Sequence, residues 1–172
     1  MSTAIQGKRI IYKYRVYEDA TTEAAWTLAF KTEDETKIKA DADATKTKDG
    51  TMRTPSDPEI EISSTSIMAK EDTKADKLKT ALLGKKLIEM WEINLDKPVT
   101  TGTGQNVVTK YKGTYYQGYL TEFNVKANAE DMAEISTTFG ANGIGADGNC
   151  TVTDEEISEA SYVFADTTQA QA

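Results

Sequence analysis

With 172 residues, 38% of them hydrophobic and 28% charged, the chain suits one soluble domain with a real core, and no apolar run approaches the roughly 18 residues needed to span a bilayer. The N-terminus MSTAIQGKR has no apolar segment behind basic residues, so the chain is expected to be made and kept in a cytoplasm, without a membrane partner. Net charge is −8, but Asp154, Glu155, Glu156, Glu159 and Asp166 account for five of the 28 acids, leaving 23 against 20 basic residues and no basic surplus of the kind tight nucleic-acid binding uses.

In chain order, an N-terminal arm, Met1 to Gly7, precedes Lys8 to Tyr17, where Ile10, Tyr12, Tyr14 and Val16 alternate with polar residues as in a half-buried strand. Trp26, Leu28 and Phe30 predict a second strand running on to about Ile38. Lys39 to Pro58 is polar, carries Asp49-Gly50, Pro55 and Pro58, and reads as an extended loop. Strand character resumes at Glu59 to Met68 through Ile60 and Ile62, with Ser and Thr continuing the same face.

Asp72 to Leu83 predicts a surface helix with Thr73 or Asp72 as N-cap, a stripe of Ala75, Leu78 and Leu82, and Gly84 as its stop. Lys85 to Leu95 predicts a strand buried on both faces, and Pro98 to Asn106 a Thr/Gly turn. Tyr111 to Gly140 then reads as a long β-hairpin turning at Ala127 to Ala129, with Met132 to Phe139 as the second arm. Tyr111, Tyr115, Tyr119, Phe123 and Val125 all fall on odd positions, which predicts one aromatic packing face. A strand from Lys110 to Lys126 would reach on the order of 50 Å, too long for a domain of this size to cover, so the sheet is expected to continue into a neighbouring copy. Gly140 to Asn149 reads as a flexible loop, Cys150 to Thr153 as a short strand, and residues 154–172 as an acidic tail. The expectation is mainly β: a β-sandwich or barrel over residues 1–153, with one accessory α-helix, long hairpins and the extended loop.

Catalytic chemistry finds little purchase. There is no histidine, which removes the commonest general base and the usual nitrogen ligand of zinc or iron. The single Cys150 cannot form an internal disulfide and reads as a buried thiol. Gly143-Ile-Gly145-Ala-Asp-Gly148 matches the dinucleotide pattern formally, but a strand-like segment follows it where a helix is required. Asp41 and Asp43 lack the glycine and glutamate of a calcium loop. Glu59 with Glu61, and Glu130, Asp131 and Glu134, read as the wet face of a sheet rather than paired catalytic acids, and the tyrosines as sandwich core ahead of a ligand platform. No catalytic residue, cofactor or metal is expected.

Three segments, TKTKDGTMRTP leading into EIEISSTSIMAK, KLIEMWEINL, and YKGTYYQGYLTEFNVKANAEDMAEISTTFGANG, carry a resemblance in their order and spacing. The chain resembles the major tail proteins, or tail tube proteins, of long non-contractile-tailed phages of Gram-positive bacteria, from Ile5 to about Val152. That resemblance implies a β-sandwich subunit of the virion tail, made in the host cytoplasm, that forms hexameric rings stacked into a hollow tube for genome ejection. It also implies partners: a tape measure protein inside, tail terminator and distal tail proteins at the ends, and DNA passing without specific binding. On that footing Lys46, Lys48, Asp49, Met52, Arg53 and Pro55 become an inter-subunit or inter-ring loop, Tyr111, Tyr115, Tyr119 and Phe123 the hairpin packing face, and Glu122, Glu130, Asp131 and Glu134 candidates for an acidic lumen. The competing readings are a secretion-tube or head-to-tail connector ring protein of the same fold, and a monomeric β-sandwich binding module.

Overall fold

The computed structural model describes residues 2–160. Among them are nine strands and two α-helices. The strands are β1 (Ile10–Val16), β2 (Lys31–Lys39), β3 (Ala42–Thr47), β4 (Gly50–Pro55), β5 (Glu59–Ile67), β6 (Ile88–Thr101), β7 (Val108–Lys126), β8 (Glu134–Ala141) and β9 (Ala146–Cys150). Helix α1 (Thr73–Leu83) joins β5 to β6, and α2 (Asp154–Ala160) follows β9. Seven strands form one sheet in the order β1-β6-β7-β8-β5-β2, with β9 added to β7, while β3 and β4 form a sheet of their own. The described residues gather into two compact units: Tyr12–Trp91 with Tyr115–Ala146, and Glu92–Thr114 with residues 2–11 and 147–160.

The larger unit holds most of the buried apolar side chains. In β5, Ile60 and Ile62 are buried and Ser64 and Ser66 continue that face, while Glu59 and Glu61 stay exposed, as the alternation predicts. Ile135, Thr137 and Phe139 of β8 and Leu120 of β7 line the same side. Full burial of each large apolar side chain contributes about 1.5–3 kcal/mol. The polar atoms on this side are paired: Ser64 Oγ donates to Asp34 Oδ1 at 2.6 Å and accepts from the Tyr14 hydroxyl, and Lys31 Nζ lies 2.7 Å from Asp34 Oδ1 and 4.7 Å from the Tyr14 ring centre.

Helix α1 starts where the sequence expects. Asp72 is the N-cap: one carboxylate oxygen accepts from Lys74 N at 2.9 Å and the other from Ala29 N at 3.0 Å, so one side chain closes the helix and fixes the preceding segment. Its buried stripe is Ala75, Leu78 and Ala81, with Ala81 rather than Leu82 as the third member. The stop is a Schellman turn, Lys85 N to Leu82 O and Lys86 N to Ala81 O, and its left-handed residue is Lys85 (φ 52°), one place after the expected Gly84.

Several expectations are corrected. The second strand does not run from Trp26 to Ile38. Trp26 makes only an isolated bridge to Tyr14, and Phe30 turns the chain with φ 48° before β2 begins. A left-handed conformation costs a non-glycine residue about 1–2 kcal/mol. The extended loop Lys39 to Pro58 is instead a regular hairpin, with residues 48–49 as its tip and pairs from Ala42↔Pro55 to Thr47↔Gly50. Every residue of β3 and β4 is exposed, so no face is apolar and no alternation marks the strands in the sequence. Pro98 lies inside β6, which reaches Thr101, and the turn is confined to residues 102–107. The β7–β8 connection spans residues 127–133, so β8 starts at Glu134 rather than Met132. Only Gly118–Lys126 of the 19-residue β7 pairs with β8. The predicted glycine loop shrinks to residues 142–145 because β9 begins at Ala146, and β9 ends at Cys150, where the short strand was expected to start. The acidic tail opens with α2, capped reciprocally: Glu156 N donates to Thr153 Oγ1 and Thr153 N donates to Glu156 Oε2. Tyr162, Val163 and Phe164 lie outside the described residues.

Candidate assembly surfaces

The aromatic stripe is not one face. Cross-strand partners share a face of the sheet, and β7 carries a register shift between Leu120 and Glu122 that leaves Thr121 without a partner. Before this bulge Tyr116, Gly118 and Leu120 point inward, leaving Tyr119 opposite them and 44% exposed. After it the inward side chains are those of Phe123 and Val125, opposite Thr137 and Ile135. One extra residue therefore moves Phe123 to the side away from Tyr119. Tyr111 is half-buried within the smaller unit.

Tyr115 belongs to a polar cluster instead. Its hydroxyl donates to Glu89 Oε1 at 2.6 Å and accepts from Gln117 Nε2 at 2.7 Å, while Arg15 Nε donates to Glu89 Oε2 at 2.7 Å. The Arg15 guanidinium lies 5.0 Å from the Trp91 ring centre, and Trp91 sits 5.2 Å from Tyr115. Glu89 is 4% exposed. Burial and the hydrogen bond to Glu89 push the Tyr115 phenol above its usual range. Removing Arg15 from such a buried pair costs about 3–5 kcal/mol, which makes the cluster a structural clamp. The sequence hid Glu89 because a glutamate inside an apolar strand has no periodic signature.

The outward face of β7-β8-β5-β2 is an open polar surface. Its rows, read from the register, are Tyr119–Gly140–Glu61–Lys37, Glu122–Thr138–Ser63–Glu35, Asn124–Ser136–Thr65–Glu33 and Lys126–Glu134–Ile67. Glu59 and Lys39 form a further pair on this face. It thus carries six carboxylates (Glu33, Glu35, Glu59, Glu61, Glu122, Glu134) and three ammonium groups (Lys37, Lys39, Lys126). Two of the four expected acidic residues, Glu122 and Glu134, lie here. Glu130 and Asp131 lie in the β7–β8 loop, where both backbone N–H groups donate to Asn128 Oδ1.

The β3–β4 hairpin forms a second surface. Lys46, Arg53 and Pro55 share one side through the pairs Lys46↔Thr51, Ala44↔Arg53 and Ala42↔Pro55, Met52 lies on the other side with Thr45, and Lys48 and Asp49 form the tip. Among the described residues no carboxylate forms an ion pair with Lys46, Lys48 or Arg53. No group of three or more Cys, Asp or Glu among the described residues is arranged to hold a metal ion.

An antiparallel β fold with one uncovered polar sheet face and a fully exposed strand pair is that of a structural subunit which completes itself by association. Over residues 4–145 the chain matches the phage tail tube protein family. A protein of Staphylococcus phage phiMR25 assigned to the tail is 32% identical over 148 residues, covering 84% of this chain and 75% of that one. Of solved structures, the SPP1 tail tube is similar with a TM-score of 0.70 at 16% identity, over 98% of this chain and 95% of the other. A protein of the native gene transfer agent virion is similar with a TM-score of 0.58 at 14% identity, over 84% and 99%. The chain belongs to the phage tail tube protein family. It is a structural component of the phage tail, not an enzyme, and self-association into the tail tube is what its family does.

Proposed function

We propose that this chain forms hexameric rings that stack into the hollow tube of a virion tail, with the open face of β7-β8-β5-β2 turned to the lumen. The observation that carries this reading is the composition of that face: four rows and a further pair in which hydroxyl, glycine and charged side chains predominate, with carboxylates in two-to-one excess. A face of this kind is hydrated and repels phosphate, so DNA slides along it without adhering. Strand β2 ends the strand order and pairs only with β5, which leaves its outer edge open to a strand of the neighbouring copy. A ring closed in this way removes the exposed edge.

The ring number follows the C6 symmetry of the gene transfer agent tail, whose fold this chain shares with a TM-score of 0.57. The β3–β4 hairpin, with Lys46, Lys48, Asp49, Met52, Arg53 and Pro55, bridges to neighbouring copies. A tape measure protein fills the lumen before ejection, and terminator and distal tail proteins cap the ends. Electron microscopy of the purified chain tests the reading: hollow tubes or six-fold rings are expected, and a population of dispersed monomers at high concentration overturns it.

A further inference from the structure

The two ends of the β7-β8-β5-β2 sheet differ in chemistry. At one end β2 begins, β5 ends, β7 ends and β8 begins, and backbone hydrogen bonds tie their flanks together: Ile67 N to Phe30 O at 3.0 Å and Met68 N to Ala133 O at 2.8 Å. Phe30, Met68, Met132 and Val125 are all exposed there, Met132 by 75% and Phe30 by 69%. Phe30 is in the left-handed backbone region, its carbonyl accepts from Ile67 N, and its ring is left to solvent. The 126–134 segment that borders this rim carries Glu130, Asp131 and Glu134 against the single Lys126.

At the opposite end β2 and β5 run on into the β3–β4 hairpin. The hairpin carries Lys46, Lys48 and Arg53 against Asp43 and Asp49, and exposes Met52 by 59%. The hairpin and the 126–134 segment thus carry net charges of opposite sign, each beside an exposed apolar side chain.

We infer that the outer half of the β3–β4 hairpin of one copy docks on the rim formed by Phe30, Met68, Met132 and the Glu130–Asp131 loop of the next copy. The contact is heterologous, using two different surfaces of one chain, and so propagates along an axis instead of closing on itself. Lys46 and Arg53 meet the acidic loop, and Met52 covers the apolar rim. This docking rests on the tube reading above and names the surface that receives the hairpin.

The test is a charge swap in the full-length chain, read by sedimentation and electron microscopy with circular dichroism as the check of folding. The K46E/R53E chain is expected to need at least about tenfold more protein to form tubes, as is the E130K/D131K chain, because each sets like charges face to face. Combining all four substitutions is expected to restore assembly to within about threefold of the wild type. Wild-type tubes together with variants that assemble normally, or a four-fold variant that stays as impaired as either pair, overturn the docking alone. A wild-type chain that forms no tubes overturns the tube reading and the docking with it.

Discussion

Glu23 shows how much one side chain can hold. It lies between two lysines of α1, with Lys74 Nζ 2.8 Å from Oε1 and Lys77 Nζ 2.7 Å from Oε2. These two hydrogen bonds, Lys74 first, draw its carboxyl down from 4.5 to about 2, against the opposing effect of burial. The folded value lies below the unfolded one, so the stabilisation is complete above pH 4.5 and disappears as pH falls towards 2. Urea unfolding should therefore find Glu23→Gln less stable than wild type at pH 7, with the difference closing between pH 4.5 and pH 2. A difference that persists unchanged at pH 2 would assign the loss to packing rather than charge. Through Lys74, which also lies 5.1 Å from the Trp26 ring centre, the same residue ties α1 to the segment between β1 and β2.

At the scale of elements, the β3–β4 hairpin is separable from the core. All of its residues are exposed, so removing Lys46 to Arg53 and closing the chain with a short turn takes away no buried contact. Thermal unfolding should change by no more than about 0.5 kcal/mol, the usual range for surface changes, while tube formation is lost. Normal tubes from the shortened chain would place the contact elsewhere. That hairpin was the least legible element in the sequence. Strands are read from alternation between a buried and a wet face, as in Ile60, Ile62, Ser64 and Ser66 with Glu59 and Glu61 between, and a strand wet on both sides offers none. The Asp49-Gly50 pair was visible, but without flanking apolar residues it read as loop. Helix α1 was legible because a cap and a stripe act locally. Of the six carboxylates on the open face only Glu122 and Glu134 were among the lumen candidates, since which glutamates share a side depends on cross-strand register, and register is a property of pairs of strands.

For the molecule as a whole, charge on the open sheet face matters more than any single glutamate there. All but the half-buried Glu134 are exposed and individually screened, but together they set the sign of the potential over a surface. Replacing Glu35, Glu61 and Glu122 with Lys changes the face from six carboxylates and three ammonium groups to three and six. Virions carrying this variant should assemble yet eject DNA slowly or incompletely, and raising ionic strength should relieve the defect by shortening the range of attraction. Ejection at the wild-type rate would remove the electrostatic role proposed for this surface.

The unpaired Thr121 also bears on how such a chain can vary over evolutionary time. The tip of β3–β4 can gain or lose residues in pairs and the single chain would still fold, because nothing of the same chain buries it. Around Leu120 and Glu122 the outcome depends on which residue goes: without Thr121 both would keep Phe139 and Thr138 opposite them and every side chain would keep its side, whereas losing the paired Phe123 would set Asn124 opposite Thr137 on the inner side. Length can thus vary at the hairpin tip and at the bulge, while the paired residues on either side of Thr121 are fixed in number by their partners in β8.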